Sequence, residues 1–153
     1  MHLISSALPA ADFTLPAVAI KAERRSLAKR LWRGEAVDGT EFGFQLNAPL
    51  KNGDTVFVSE AARYVIEQLP EAVLEIALSA SPEIAAVTGW AVGNMHWPIN
   101  AHDGRILTPD DPGLRQALTR MGIAFTPAVA VFTAHRFAEF SHSHRLGEAT
   151  RAN

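Results

Sequence analysis

The stretch Glu71-Ala-Val-Leu-Glu-Ile-Ala-Leu78 is apolar enough to form a central strand, and a helix signal follows it directly. Ser81 is a predicted N-cap and Pro82 takes the first helical position. Apolar residues then recur every three or four positions, so we expect one face of this helix to lie on the sheet. The predicted sheet-facing residues are Ile84, Val87, Thr88, Ala91, Val92 and Met95.

Four further elements are predicted downstream of this helix. Two short strands flank an Asp-Gly turn at Asp103-Gly104, and a second helix begins at Asp111-Pro112 with Leu114, Leu118 and Met121 on its buried face. The β-rich run over residues 125–133 predicts a last strand. The resulting order, β-α-β-β-α-β, is that of a split ferredoxin-like unit.

The residues upstream of Pro70 have a different pattern, with apolar and polar residues alternating. Residues 40–46 read as a half-buried strand after an Asp-Gly turn, and residues 55–58 read as another strand after the Asn-Gly turn at Asn52-Gly53. Short strands separated by turns at this spacing are typical of a small antiparallel β domain.

The sequence thus predicts an α+β protein in three parts. An N-terminal antiparallel β domain covers residues 1–70, and a ferredoxin-like βαββαβ metal-binding domain covers residues 71–134. The last stretch, residues 135–153, loses periodicity and is predicted to be a flexible tail that contains histidines.

Composition excludes several classes of function. The chain has 153 residues, 48% of them hydrophobic, and no cysteine, so any metal site must use imidazole and oxygen ligands. A formal net charge of −2 gives no global electrostatic reason to bind nucleic acid or an anionic membrane. Since no window contains 18 uninterrupted apolar residues and no leader pattern is present, we expect a cytoplasmic protein.

Histidines are the residues most informative about chemistry. His142 and His144 stand two residues apart, and on an extended segment such side chains point the same way and can bind one ion. Imidazole suits nickel, copper(II), zinc or cobalt, and ligands on a flexible tail suit a carrier better than a catalyst. Because the sequence contains no catalytic motif such as GxSxG or HExxH, we predict that the protein is not an enzyme.

A basic segment offers an alternative interpretation. Residues Lys21–Arg33 hold six of the fourteen Lys and Arg residues, with Leu27, Leu31 and Trp32 expected to point inward. This segment is either a solvated strand face or an RNA-binding surface, and the overall negative charge favours the first. A general protein-binding or chaperone module, in which the histidines are incidental, is a further alternative.

One motif resembles a known family. The pattern Gly93-Asn-Met-His-Trp-Pro98, at the end of the first predicted helix and followed by Asp103-Gly-Arg-Ile-Leu107, resembles the urease accessory protein E family of nickel metallochaperones. Upstream, Asp38–Leu46 and Leu50–Asp54 are similar to the β domain of that family. The resemblance spans roughly residues 13 to 133.

The resemblance implies a nickel chaperone that donates Ni²⁺ to apo-urease, with zinc or copper(II) as competitors. It implies a homodimer joined through the C-terminal domains, in which His96 of each subunit contributes to one nickel site. Tail histidines would complete that site, His142 and His144 first and His135 second, which leaves His2 and His102 as bystanders. The implied partners are the urease apoprotein complex and its accessory GTPase, with no nucleic acid and no membrane.

Overall fold

A computed structural model describes residues 1–9, 13–79 and 81–135. The chain divides into two compact units, Met1–Pro70 and Glu71–Asn153. Both strands and helices are present, so the protein is α+β as predicted. In the described part of the chain, no helix is long and apolar enough to cross a membrane.

In residues 1–9 and 13–70, the first unit has six strands and one helical turn. The strands are β1 (His2–Ile4), β2 (Ala17–Ala22), β3 (Leu31–Glu35), β4 (Glu41–Gln45), β5 (Thr55–Val58) and β6 (Arg63–Gln68), and the helix is α1 (Arg24–Leu27). They form two three-stranded sheets, in the orders β1-β4-β3 and β2-β6-β5. Phe42, Phe44, Ile20 and Ile66 are fully buried in the shared core of this unit.

The prediction of a purely antiparallel β domain is wrong. The hairpins β3–β4 and β5–β6 are antiparallel, but β1 pairs with β4 and β2 pairs with β6 in parallel. A two-residue turn can join only antiparallel strands, so short turns account for the hairpins alone. The other two strands are added to the hairpins by contacts between segments far apart in the sequence, which periodicity does not reveal.

The two predicted turns of this unit are confirmed. Gly39 and Gly53 both have positive φ, at 85° and 89°, where an L side chain is disfavoured. Asp38 accepts hydrogen bonds from the Thr40 amide at 2.9 Å and from the Tyr64 hydroxyl at 2.9 Å. These bonds, the Thr40 amide first, hold the pKa of the Asp38 carboxyl below its usual value.

The basic segment departs from its prediction. It is not one strand face, because it includes the end of β2, the helical turn α1 and the start of β3. Leu27 is buried as expected, but Leu31 is 75% exposed and points away from the core. The polypeptide turns within this segment, so the period-two alternation of a single strand does not apply across it.

The second unit has the predicted order β-α-β-β-α-β. Its elements are β7 (Glu71–Ala77), α2 (Pro82–Gly93), β8 (Asn100–His102), β9 (Arg105–Pro109), α3 (Pro112–Arg120) and β10 (Thr126–Ala130). The strands form one antiparallel sheet in the order β10-β7-β9-β8. Both helices cover the same face of the sheet, where their buried side chains pack on strand residues: Leu74, Ile76, Val92, Ile106, Leu114 and Leu118. The prediction that Met121 belongs to the buried face of α3 is wrong: it is the C-cap that follows the helix and is 45% exposed.

Both predicted helix starts are confirmed. The Ser81 hydroxyl oxygen accepts a hydrogen bond from the Ile84 amide, and Pro82 follows as the first helical residue. The Ser81 hydroxyl also donates to Glu83 at 2.6 Å and so lowers the pKa of that carboxyl. At α3, Asp111 accepts from the amides of Gly113 and Leu114 at 2.7 and 3.2 Å.

The predicted sheet-facing stripe of α2 is partly wrong. Val92 is fully buried, but Ile84 is 58% exposed and Val87 is 64% exposed. Trp90, one turn further along, is 69% exposed. The helix is apolar around most of its circumference, so its periodicity does not indicate which side contacts the sheet. We refer to Ile84, Val87 and Trp90 as the outer stripe of α2.

Candidate metal site

His96 follows the end of α2 in a conformation that few residues adopt. The helix ends at Gly93 with Asn94 as its C-cap, and the His96 amide then donates to the Gly93 carbonyl at 3.0 Å. His96 has a φ of 59°, in the left-handed region, which costs an L residue about 1 kcal/mol. This turn holds the imidazole at the surface, where His96 is exposed.

The turn that carries His96 forms one wall of a groove of about 580 Å³ in the second unit. Its lining is mostly apolar and includes two tryptophans and two histidines. The lining residues are Trp90, Gly93, Asn94, His96, Trp97, Pro98, Ile99, Ala101 and His135. The structure therefore brings two of the four predicted metal ligands, His96 and His135, to the same groove.

His135 is fixed beside strand β8. Its backbone amide donates to the Ile99 carbonyl at 2.8 Å, and its ring nitrogen Nε2 lies 2.8 Å from the Ala101 carbonyl oxygen. The start of the flexible tail at residue 135 stays a prediction, and these two contacts hold His135 itself beside β8. The periodicity is lost before this point because the segment crosses the sheet instead of running along it.

The other histidines lie elsewhere or outside the described residues. His142 and His144 are outside them, so the predicted pair of tail ligands stays a prediction. His102 is exposed on β8, where its Nδ1 lies 3.1 Å from Asp103. His2 stacks on Phe57 in the first unit, with 4.3 Å between ring centroids. Neither of these two lines the groove.

The groove offers nitrogen donors but too few for a complete metal site. Within residues 1–9, 13–79 and 81–135, no three His, Asp or Glu side chains are grouped closely enough to hold an ion. The groove-lining residues include two imidazoles and no carboxylate. Because nickel and similar ions take four to six ligands, one described chain can contribute only part of a coordination shell.

Sequence reasoning missed the two tryptophans of the groove. Trp90 belongs to the outer stripe of α2, and Trp97 directly follows His96. The sequence did contain a signal, because Trp90 stands three residues after Val87 and six after Ile84. That spacing predicts a common helix face, and the error was to assign this face to the sheet.

Comparisons with known proteins identify the family of this chain. Residues 71–151 match the family described as UreE urease accessory protein, C-terminal domain. A urease accessory protein UreE of Streptococcus vestibularis is 31% identical over 102 residues, which cover 65% of this chain and 67% of that protein. The UreE of Deinococcus radiodurans is 34% identical over 106 residues, covering 68% of this chain and 66% of that protein.

A third relative extends the aligned region. The urease accessory protein UreE of Actinobacillus pleuropneumoniae is 30% identical over 128 residues, covering 82% of this chain and 60% of that protein. The family match covers more than half of the chain and contains both groove histidines. The chain therefore belongs to the UreE family of urease accessory proteins, a family of accessory proteins and not of enzymes.

Proposed function

We propose that this chain is a nickel metallochaperone that donates Ni²⁺ to apo-urease during assembly of the urease metal centre. The observation that carries the proposal is the placement of His96 and His135 on one groove of the second unit. Imidazole nitrogen is a ligand that nickel accepts readily, and an exposed groove lets an ion enter and leave. Family membership supports the role in urease maturation.

The proposed functional form is a homodimer joined through the second units, which we interpret as ferredoxin-like. The ligand count supports this form, because one described chain has only two groove imidazoles and a two-fold axis doubles them. The outer stripe of α2 supplies the apolar contact surface, and Trp90 belongs both to that stripe and to the groove. A second copy packed on the stripe would bring the two grooves together.

The predicted tail ligands are compatible with this arrangement. His142 follows His135 by seven residues, a length of chain that can span at most about 24 Å. His142 and His144 can therefore reach an ion held at the groove from the fixed position of His135. We propose that they complete the shell when the dimer holds one ion.

The proposal extends to metal choice, partners and location. Zinc and copper(II) compete at an imidazole site, copper(II) with the higher intrinsic affinity, so nickel is the cargo through supply and partner proteins. The proposed partners are the urease apoprotein complex and its accessory GTPase, with the first unit as the protein-binding part. These partners place the protein in the cytoplasm.

Calorimetric titration with Ni²⁺ tests the proposal. We expect about one tightly bound ion per dimer, and we expect His96→Ala to weaken binding at least tenfold because a ligand of each subunit is lost. His102→Ala is the matched control, since His102 is an exposed histidine of the same unit outside the groove. Unchanged affinity in His96→Ala would show that the site is assigned wrongly.

RNA binding is the alternative that a specific observation favours. In the part of the chain that the structure describes, the exposed cations Lys21, Arg25, Lys29, Arg30 and Arg33 form no ion pair. An RNA-binding protein would lose affinity steeply as salt rises, because neutralised phosphates release counterions. A general protein-binding module would instead bind its clients equally well with and without metal. Metal-dependent binding of the urease complex, without salt-dependent RNA affinity, distinguishes the nickel chaperone from both.

A further inference from the structure

The segment Val131–His135, which we call the crossing arm, runs between the two outermost strands of the four-stranded sheet in the second unit. It begins directly after β10, at one edge of the sheet, and ends beside β8, at the other edge. Phe132 packs with Val73 and Leu107, which lie on the face opposite the helices. The arm therefore crosses the helix-free face of the sheet.

The length of the arm matches the width of the sheet. From β10 to β8 there are three strand-to-strand spacings, a distance of about 14 Å. His135 lies five positions after Ala130, and a fully extended chain of five residue-to-residue steps spans about 16 Å. The arm has little slack, so its length determines where along β8 the His135 side chain arrives.

Contacts along the backbone and at Phe132 hold the arm in place. Phe132 is fully buried at its midpoint, against the two central strands of the sheet. The Asn100 side-chain amide donates to the Thr133 carbonyl at 2.6 Å, and the His135 amide donates to the Ile99 carbonyl at 2.8 Å. An apolar anchor and two hydrogen bonds thus fix the chain up to His135.

The last contact of the arm orients the His135 ring. A carbonyl oxygen only accepts hydrogen bonds, so the Nε2 atom that lies 2.8 Å from the Ala101 oxygen must carry the hydrogen. A neutral imidazole with hydrogen on Nε2 has its lone pair on Nδ1. Carbonyl groups orient metal-binding histidines in this way, by fixing the tautomer and the ring plane.

We infer that the crossing arm is a positioning device that presents Nδ1 of His135 to the ion at the groove, with Phe132, Asn100 and the Ala101 carbonyl as its positioning groups. The inference rests on the proposed function, and it assigns a rigid ligand where a flexible tail is predicted. A ligand that folding has already ordered loses less conformational freedom on binding an ion than a ligand on a mobile segment.

A pair of insertions tests the arm in the full chain. Two glycines between Ala134 and His135 move His135 out of register with β8, whereas two glycines between His135 and Arg136 leave the arm unchanged. We expect the first insertion to weaken Ni²⁺ binding by about tenfold, as much as His135→Ala does, and the second to leave affinity unchanged. In the His135→Ala background the first insertion should have no further effect.

Nitrogen-15 NMR of the metal-free protein supplies a readout that does not depend on nickel. We expect the Nε2–H tautomer for His135 and slow hydrogen exchange at its backbone amide, with both lost in the first insertion and kept in the second. Phe132→Ala should lose both signatures and Phe132→Leu should retain them, because leucine still fills the anchor site. A mobile His135 amide in the wild-type protein would overturn the inference.

The two proposals fail in different ways. Suppose that His96→Ala loses nickel, whereas neither insertion nor His135→Ala changes the nickel affinity. That result would refute the role of the arm alone and leave the proposed function standing. A wild-type protein that shows both NMR signatures but binds no nickel would refute the proposed function and, with it, the role of the arm as a metal-site device.

Discussion

The two helices of the second unit begin alike and differ on their outward faces. Each has a polar N-cap followed by proline, and each packs buried side chains on the same sheet. The outward face of α3 carries Arg115, Gln116 and Arg120, whereas α2 has Glu83 as its single charged residue. A helix that is apolar on all sides is normally buried on all sides. The outward face of α3 is therefore polar, whereas the outward face of α2 exposes apolar side chains that the proposed second copy would cover.

Replacement of Val87 by glutamate should have the largest effect, because it places a charge on the outer stripe of α2. If a second copy covers this stripe, the dimer must bury an unpaired carboxylate, which costs about 3–5 kcal/mol and raises the dissociation constant about a thousandfold. Sedimentation equilibrium of the wild type and of Val87→Glu measures the change.

Gln116→Glu is the matched control, since it introduces the same charge on the exposed face of α3. We expect its dimer constant to equal that of the wild type. If Val87→Glu and Gln116→Glu weakened the dimer equally, the two outward faces would not differ in function. A monomeric wild type would mean that self-association does not account for the apolar outer face of α2.

Leu118→Ala truncates a buried side chain on the inner face of α3 and should leave the outer stripe of α2 unaffected. Leu118 is fully buried between helix and sheet, so the truncation should lower the free energy of unfolding by about 3 kcal/mol. Denaturant unfolding measures the loss, and Gln116→Ala, on the exposed face of the same helix, should change stability by less than about 0.5 kcal/mol.

The folded fraction of Leu118→Ala should dimerise with wild-type affinity. A stability loss together with a lost dimer would indicate that α3 also lies at the interface, and the two helices would then not differ in the way that their outward faces suggest.

Local signals in the sequence predict part of this fold and miss the rest. The βαββαβ order and both helix starts followed from such signals, for example Ser81 before Pro82 and Asp111 before Pro112. The orientation of α2 did not, because an evenly apolar helix has no polar face to mark its solvent side. The parallel pairings of β1 with β4 and of β2 with β6 were missed because each joins segments far apart in the chain.

The candidate site divides in the same way between local and non-local determinants. His96 could be predicted because a short local motif places it at the end of α2. The fixed position of His135 could not, because it depends on Phe132 packing against strands that lie more than twenty residues earlier in the sequence. A segment without periodicity is predicted to be a flexible tail even when contacts of individual residues hold it in place.

The smallest expected effect concerns the ion pair that holds the start of α3. The Arg115 guanidinium donates to both oxygens of Asp110, and this contact holds the pKa of the Asp110 carboxyl below its usual value of 3.8. A carboxyl with a lowered pKa in the folded state stabilises the protein above its unfolded pKa, and the contribution is lost as pH falls through the folded value.

We therefore expect Asp110→Asn to lower Tm by about 3 °C at pH 7, since a two-bonded but partly exposed ion pair contributes little. The difference from the wild type should shrink as the pH falls below 3.8 and through the lower folded pKa, because Asp110 is protonated first in the unfolded state and then in the folded state. Thermal unfolding of both proteins between pH 3 and pH 7 checks the sign. A difference that grows on acidification would mean that the carboxylate destabilises α3. The Asp110→Asn substitution should leave helix α2 unaffected, because neither partner of the ion pair belongs to that helix.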